Sequence, residues 1–152
     1  MKNVLLIFLI LIICVSCDKV PMNGDLDGMW QLMSIEEGGV VTNIKSEKRY
    51  MSFQLQLVQF GHGNKNDING VLPRHCYAHF KHKGDSIFIY DLCHDSENAT
   101  SADNNEWYRE EDLPKIKPWG MYSLNNRFKV EKLDSDAMIL RREDLVLKYR
   151  KF

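Results

Sequence analysis

Residues 74–94 predict a β-hairpin, and this hairpin constrains the fold more than any other segment of the chain. Two runs that alternate apolar and polar residues meet at Gly84-Asp85, a pair that suits a two-residue type II′ turn. Side chains that face each other across the two strands then follow by counting outward from the turn. The predicted facing pairs are Lys83 with Ser86, Cys76 with Cys93, and His75 with His94.

The hairpin has two chemically different faces, because neighbouring residues on a strand point to opposite sides. We assign the more apolar face to the interior of the fold: Cys76, Ala78, Phe80, Ile87, Ile89 and Asp91. A buried carboxylate needs a partner, so Asp91 is expected near a solvated rim. The other face combines histidines with aromatic and aliphatic side chains: His75, His79, His94, Tyr77, Phe88, Tyr90 and Leu92.

Most of the remaining chain predicts further antiparallel strands. Residues 49–60 form the clearest one, because every second residue from Met51 to Leu57 is apolar. The segment near 106–122 predicts a short helix or an irregular crossing, and Pro114 is expected to stop the helix. Other predicted strands span 26–35, 127–133, 137–141 and 145–151, with polar loops at 61–70 and 95–105.

This succession of seven or eight hairpin-connected strands predicts an all-β fold. An antiparallel meander of this length hides its edges by closing on itself or by folding into a sandwich. Sequential hairpins favour the first solution. We therefore predict an up-and-down meander that closes into a barrel of about eight strands.

Residues 1–17 are predicted to be a targeting segment outside the fold. Lys2 precedes an unbroken apolar run over residues 4–15. This run is shorter than the roughly 20 residues that span a bilayer, which is typical of a signal peptide. The run is followed by Ser16 and Cys17, and a small residue directly before a cysteine resembles the lipobox of bacterial lipoproteins.

The lipobox resemblance implies a lipid-anchored protein of the bacterial cell envelope, on the periplasmic or the surface face of the outer membrane. Residues 1–16 would be removed, and Cys17 would be acylated and would hold the protein to the membrane. Residues 17–25 would form a tether, and residues 26–152 the folded domain. An ordinary secretory signal cut nearby is the alternative.

The first predicted strand begins with Gly28-Met29-Trp30, which resembles the Gly-x-Trp entry to the first strand of lipocalin-type barrels. With the lipobox, the short tether and the meander, this motif makes the chain similar to small lipocalin-like lipoproteins of bacterial envelopes. The resemblance implies structural roles for Gly28 and Trp30. Trp30 would pack at the closed end of the barrel, beneath Arg150 or Arg142.

The cysteines of the hairpin predict a disulfide. Once Cys17 is acylated, Cys76 and Cys93 remain, and the predicted register sets them opposite each other. An exported protein meets an oxidising envelope in which disulfides persist. We therefore predict a Cys76–Cys93 disulfide, with two buried thiols as the alternative.

The histidines beside these cysteines do not predict a site of two thiolates and two imidazoles, because strand alternation sends them to the opposite face. A weaker candidate for zinc remains in His75, His79 and His94, which share one face of the hairpin. Two unrelated surface histidines beside an aromatic patch are the commoner outcome. We therefore predict no metal and no other cofactor.

Charge and motifs argue against several functions. The 20 basic and 21 acidic residues nearly cancel, so the concentrated basic face of a nucleic-acid-binding protein is not expected. The sequence has no nucleophile elbow, phosphate-binding loop, metalloprotease helix or calcium loop. We therefore expect no enzymatic activity.

The predicted function is binding of a small apolar or amphipathic ligand inside the barrel. The candidate lining is Met51, Phe53, Leu55, Leu57, Phe80, Ile89, Trp119, Phe128 and Leu147. The alternative is a barrel filled by the same side chains, acting as a protein–protein interaction or accessory module of an envelope complex. An eight-stranded barrel permits either outcome.

Overall fold

The computed structural model describes residues 22–63, 75–94 and 107–152, apart from the side chain of His75. The predicted leader, with Cys17, lies outside the described residues. Within them, one antiparallel sheet contains nine strands. The strands are β1 (Gly28–Glu37), β2 (Val40–Asn43), β3 (Arg49–Gln54), β4 (Leu57–His62), β5 (His75–Lys83), β6 (Ser86–Cys93), β7 (Asn126–Leu133), β8 (Ala137–Arg142) and β9 (Leu145–Lys151).

The sheet closes into a barrel because β1 has partners on both of its edges. One edge pairs with β9, from Trp30 opposite Lys151 to Glu37 opposite Leu145. The first half of the other edge pairs with β3, and the second half pairs with β2. The short 3₁₀ helix Lys45–Glu47 separates β2 from β3, so these two strands share one position in the wall. The wall of the barrel therefore has eight strand positions, which nine strands fill. The predicted fold class, an all-β barrel of about eight strands, is confirmed.

The predicted single strand over residues 49–60 is wrong, because a tight turn divides it into β3 and β4. Gln54 pairs with Leu57, which leaves Leu55 and Gln56 as a two-residue turn. Leu55 has a φ of 57°, a left-handed conformation that is costly for a residue with a Cβ. No glycine, asparagine or proline marks the position. The turn also moves the inward-facing positions from odd to even residue numbers.

The predicted hairpin register is confirmed near the turn and wrong further out. Pairing runs as predicted from Lys83–Ser86 to His79–Tyr90, and it then shifts so that Tyr77 lies opposite Cys93. The shift coincides with Asp91, which has a φ of 53°. Because of this irregularity Cys76 does not face Cys93, and β6 ends before the predicted pairing of His75 with His94.

The shift also turns Asp91 away from the inward-facing set of the hairpin, and its side chain is 37% exposed. The Asp91 carboxylate Oδ2 lies 3.5 Å from Nδ1 of His79, which belongs to the outer face of the hairpin. The two residues after Asp91, Leu92 and Cys93, are both buried. One residue with a positive φ therefore changes which side of β6 each following side chain faces.

The predicted helical or irregular segment is present after residue 106 as three short helices. A 3₁₀ turn at Glu110–Asp112 leads into helix α1 (Leu113–Ile116), and a second 3₁₀ turn at Lys117–Trp119 follows. Pro114, the predicted stop, lies instead in the first turn of α1, where a missing backbone N–H breaks no helical hydrogen bond. In the described residues, no helix is both long and apolar enough to cross a membrane.

The barrel has two different ends. The closed end contains the start of β1, the β3–β4, β5–β6 and β7–β8 turns, and the end of β9. The helical end contains the β1–β2 and β8–β9 turns and the helices of residues 110–119. Two contacts attach this helical segment: the Arg49 guanidinium donates to the Pro118 carbonyl at 2.5 Å, and Trp119 Nε1 donates to the Gly61 carbonyl at 3.3 Å.

The left-handed turn residue gives a prediction about stability. Leu55→Gly should raise the free energy of unfolding by about 0.5–1 kcal/mol, because glycine adopts a positive φ without a Cβ clash. Gln56→Gly, at the adjacent position with a negative φ, should instead lower it by about 0.5–1 kcal/mol. Urea denaturation of the two variants measures both changes. Equal destabilisation by both would contradict the turn geometry.

Candidate functional site in the barrel interior

Apolar side chains line the barrel interior. Seven of the predicted lining residues lie there, each at most 4% exposed: Met51, Phe53, Phe80, Ile89, Trp119, Phe128 and Leu147. Leu55 and Leu57 do not lie in the interior. Leu55 is 63% exposed at the β3–β4 turn, and Leu57 is half-buried. For the seven interior residues, contact with a ligand stays a prediction.

Sequence reasoning missed several other interior residues. They include Val58, Phe60, Met121, Met138, Leu140 and Tyr149, all buried. The alternation of residues 51–57, continued along one strand, points Val58 and Phe60 outward. The β3–β4 turn reverses the alternation, so both face inward. Met138 and Leu140 follow the ordinary alternation of β8, so a sequence signal for them was present. Met121 follows the helical segment, where no periodic signal exists.

Trp30 fills the closed end of the barrel and is fully buried. Its indole Nε1 donates a hydrogen bond of 2.8 Å to the Leu26 carbonyl, within the 3₁₀ turn that precedes β1. The cation over the indole is Lys151, whose Nζ lies 4.9 Å from the ring centroid. Lys151 Nζ also donates to the Asp25 carbonyl at 2.7 Å. The last strand therefore holds the entry of the first strand in place.

The two arginines predicted for this role lie elsewhere. Arg150 approaches the Gln31 side chain at 3.5 Å, and Arg142 lies over the rings of Tyr122 and Phe128. The physical reason is register: Lys151 is the residue of β9 that pairs with Trp30. The prediction that a basic residue lies across the tryptophan was sound, and the residue identity was wrong.

Gly28 makes this arrangement possible. Its φ is 115°, a conformation that side chains strongly disfavour. A Cβ at this position would lie only 3.3 Å from Cε of Lys151. The glycine of the Gly-x-Trp motif therefore leaves room for the lysine stem that reaches across Trp30.

Trp119 closes the helical end from inside. It is fully buried, and its ring meets Phe60 edge-on with centroids 6.3 Å apart. The next residue, Gly120, has a φ of 80°, and a Cβ there would lie 2.6 Å from a methyl carbon of Leu147. The chain thus passes close against β9, and this contact fixes the helical segment on the barrel.

A buried cluster of weakly acidic groups lies near the helical end. Burial raises the pKa of the Cys76 thiol to about 12. Burial also raises the pKa of the neighbouring Tyr108 phenol, and its proximity to Cys76 raises it further. Within the described part of the chain, the Tyr108 hydroxyl has no hydrogen-bond partner other than the thiol of Cys76. Both groups are therefore neutral at physiological pH, and the phenol proton is available to an acceptor.

Two other buried polar side chains, those of Asn126 and Tyr149, have hydrogen-bond partners within the protein. The Asn126 side chain accepts from the Tyr122 backbone N–H at 3.2 Å and from Arg142 at 3.0 Å, and it donates to the Ser123 carbonyl. The Tyr149 hydroxyl donates to Sδ of Met51 at 2.9 Å. These contacts stabilise the fold. They leave the Tyr108 hydroxyl as a polar group of the interior that a ligand can engage.

The predicted disulfide is absent from the structure. Cys76 and Cys93 are both buried thiols on neighbouring strands, and Cys93 Sγ lies 3.6 Å from the Tyr77 carbonyl. The one-residue shift at Asp91 is the physical reason for the failed prediction, since it removes the directly opposed geometry on which the disulfide was based.

The histidines of the hairpin form no metal cluster among the described side chains. His79 stacks on Tyr90, with centroids 5.8 Å apart, and Tyr90 stacks on Phe88 at 5.1 Å. The exposed His94 instead meets Tyr108 edge-on at 4.2 Å. The side chain of His75 lies outside the described part of the chain. His79 therefore belongs to an aromatic stack on the outer wall, and His94 belongs to the helical end.

A groove of about 650 Å³ lies on the outer wall beside the 3₁₀ helix between β2 and β3. Its lining is Gln31, Asn43, Lys45, Ser46, Lys48, Tyr50 and Phe152. The sequence did not predict it, because neither β2 nor the 3₁₀ helix before β3 was expected. The buried Gln31 amide already donates to the Lys45 carbonyl at 2.9 Å, so the polar floor of the groove is occupied by the protein itself.

The tight approach of Gly120 to β9 gives a prediction about stability. Gly120→Ala should destabilise the protein by about 2–4 kcal/mol, from backbone strain together with overpacking against Leu147. Gly39→Ala is the matched control, because Gly39 has a φ of 81° and open space around it. It should cost about 1 kcal/mol. Equal losses in thermal or urea denaturation would show that packing against Leu147 is not limiting.

The buried thiols give a prediction about reactivity. In the folded protein with Cys17→Ser, neither Cys76 nor Cys93 should react readily with a thiol reagent at pH 7. The pKa of about 12 keeps nearly all of Cys76 protonated even at pH 9, so its reaction should stay slow at both pH values. Ser135→Cys, at the exposed β7–β8 turn, should react at once and serves as the positive control.

The same protein, produced without residues 1–16 and therefore without Cys14, should show two reactive thiols after denaturation without a reductant, and reduction should not change its mass. A gain in mass equal to two hydrogen atoms on reduction would contradict the separate thiols and would restore the disulfide.

Comparisons with known proteins agree with this architecture. A crystal structure of a lipocalin-like protein from Bacteroides uniformis superposes with a TM-score of 0.58 at 21% sequence identity, covering 85% of this chain and 100% of that one. An uncharacterized protein from Bacteroides eggerthii superposes with a TM-score of 0.58 at 23% identity, covering 84% of this chain and 99% of that one. At these identities the likeness concerns the fold.

No curated protein matches the sequence of this chain. A model of the lipocalin-like domain family, in contrast, matches residues 10–152, which include every strand of the barrel. With the closed eight-stranded meander and the tryptophan entry of its first strand, this match shows that the chain belongs to the lipocalin-like domain family.

Proposed function

We propose that this chain is a lipid-anchored protein of the bacterial cell envelope whose barrel binds a small amphipathic or apolar molecule without catalysing a reaction. The observation that carries the proposal is a closed barrel with an apolar interior, in which the Tyr108 hydroxyl is buried without a strong hydrogen-bond partner. Ligand sites typically combine apolar walls with a few polar groups of this kind.

The Tyr108 hydroxyl supports an amphipathic ligand in particular. A buried donor without a strong partner costs about 1–3 kcal/mol, and a ligand oxygen that accepts its proton recovers part of that cost. Burial raises the pKa of Tyr108, so the phenol remains a donor at neutral pH. A carboxylate, carbonyl or hydroxyl head group near Tyr108 and an apolar tail among the interior side chains would match the site.

The same interior supports a non-catalytic role. Among the described residues, the buried amide side chains are Gln31 and Asn126, and both are engaged by the protein. The Cys76 thiol is held protonated by burial, so it is a poor nucleophile. The described interior thus supplies no activated nucleophile beside a general base.

Attachment to the membrane is supported by the sequence features of the leader. The apolar run over residues 4–15 and the Ser16-Cys17 pair suit a lipoprotein signal, and the family match begins at residue 10, within this run. Mass spectrometry of the full-length protein expressed in a bacterium tests it. Acylation should be found at Cys17 and should be lost in Cys17→Ser, and an unmodified Cys17 would contradict the anchor.

Ligand binding gives a prediction for Tyr108→Phe, tested with two fluorescent probes. Binding of a fluorescent fatty acid, which has a head group, should weaken about tenfold, equivalent to about 1.4 kcal/mol. Binding of the largely apolar probe N-phenyl-1-naphthylamine should change little. Tyr50→Phe removes a hydroxyl from the outer groove and is the control, with no expected effect on either probe.

The filled barrel remains the second candidate, because many of the largest interior side chains are completely buried, including Trp30, Trp119, Phe53, Phe60 and Phe128. It predicts no saturable binding of either probe. In that case the contact surface of an interaction module would be the aromatic stack of His79, Tyr90 and Phe88 on the outer wall. Equal weakening of both probes by Tyr50→Phe would place binding in the outer groove and contradict the proposal.

A further inference from the structure

We propose that the closed end of the barrel, on the side of β1, β3, β4 and β9, rests on the phospholipid bilayer, and that the helical end points away from it. This inference rests on the proposed acylation of Cys17. It adds an orientation, a contact surface and the residues that form it. Two features of the molecule support it: the place where the chain enters the fold, and the apolar side chains exposed there.

The chain enters the fold at the closed end. Asn23 is held there by its side chain, which donates to the Leu55 carbonyl at 3.0 Å and to the Asp27 carboxylate. Met22 precedes it, so the chain that leads back to Cys17 starts beside the β3–β4 turn. Five residue steps separate Met22 from Cys17, and a fully extended chain covers about 3.6 Å per residue. Met22 therefore lies within about 18 Å of an acylated Cys17.

That reach excludes an inverted barrel that stands on its helical end. β1 advances nine residue steps from Gly28 to Glu37, or about 30 Å at 3.3 Å per residue. A strand tilt of about 40° leaves roughly 23 Å along the barrel axis. The closed end, where Met22 lies, would then stand at least about 23 Å above the bilayer, beyond the reach of the tether.

Exposed apolar side chains lie at the closed end, which the short chain to Cys17 keeps near the bilayer. Met22 and Leu55, joined through Asn23, are 62% and 63% exposed. Met29 and Phe152 are 36% and 71% exposed on the adjoining wall, and the Phe152 backbone N–H donates to the Met29 carbonyl at 2.8 Å. These four residues form the apolar rim of the closed end.

Leu55 is the most informative member of the apolar rim. It combines a left-handed φ with an exposed aliphatic side chain, so neither the backbone nor solubility favours leucine at this position. Transfer of a leucine side chain from water into hydrocarbon is favourable. Contact with lipid supplies a physical reason for a residue that the folded barrel itself does not explain.

The other turns of the closed end are polar, which gives the contact a side. The β5–β6 turn contains Gly84 and Asp85, and the β7–β8 turn runs from Asp134 to Asp136. Carboxylates avoid the hydrocarbon of a bilayer. The barrel should therefore lean toward its apolar rim, with the acidic turns in water. The helical end and Tyr108 then face the aqueous compartment from which a ligand or partner arrives.

The experiment uses the full-length acylated protein in phosphatidylcholine vesicles, with a nitroxide label on one introduced cysteine. Leu55→Cys reports on the apolar rim. Val41→Cys is the matched control, because Val41 is an aliphatic residue that is 59% exposed at the helical end. The native Cys76 and Cys93 are buried and should not be labelled in the folded protein.

The readout is the accessibility of the label to oxygen, which enriches in lipid, relative to a water-soluble nickel complex. For Leu55→Cys this ratio should rise several-fold on binding to vesicles, and for Val41→Cys it should stay unchanged. A rise at Val41, or no rise at Leu55, overturns the orientation. Both labelled variants should keep the thermal unfolding transition of the unlabelled protein, since both positions are exposed.

Flotation with the vesicles and the mass of the acylated Cys17 are measured on the same samples. Protein that is not acylated and does not float contradicts the anchor and the orientation together. Protein that is acylated and floats, but shows no lipid contact at Leu55, contradicts only the orientation. The two proposals therefore fail in distinguishable ways.

Discussion

The pairing of β1 on both of its edges is the constraint on which the rest of this structure depends. β9 occupies one edge along its length, and β3 and β2 share the other. With either partner missing, the sheet would open, and the apolar residues of eight strand positions would face water. Closure thus creates the interior, both ends of the barrel, and the outer wall. It also explains why β1 carries the family motif.

The two ends are closed by two tryptophans in different ways. At the closed end Trp30 is fixed by the 3₁₀ turn before β1 and covered by Lys151, for which Gly28 leaves room. At the helical end Trp119 belongs to the helical segment, which is not part of the sheet. It is held by contacts with Phe60 and Gly61 of β4. The first arrangement joins the two termini of the domain. The second attaches a helical segment to a barrel that is already formed.

Because the two ends differ, the barrel has a direction along its axis. Weakly acidic groups, among them the Cys76 thiol and the Tyr108 phenol, are buried near the helical end, while the apolar rim and the entry of the tether lie at the closed end. In the proposed arrangement, one end contacts lipid and the other receives molecules from water. A ligand head group would then meet Tyr108 near the aqueous side of the barrel.

The sequence alone determined the class of the fold, the approximate number of strand positions and part of the interior, because side chains alternate along strands and each hairpin repeats the pattern. It also indicated Trp30, Gly28 and a basic partner through their resemblance to a family motif. Only the tertiary structure decided where the alternation changes phase, at Leu55 and at Asp91. Both residues adopt a positive φ without being glycine. Local preference opposes that conformation, so contacts made elsewhere in the barrel must impose it. These two phase changes account for the β3–β4 turn that the sequence did not predict and for the failed Cys76–Cys93 pairing.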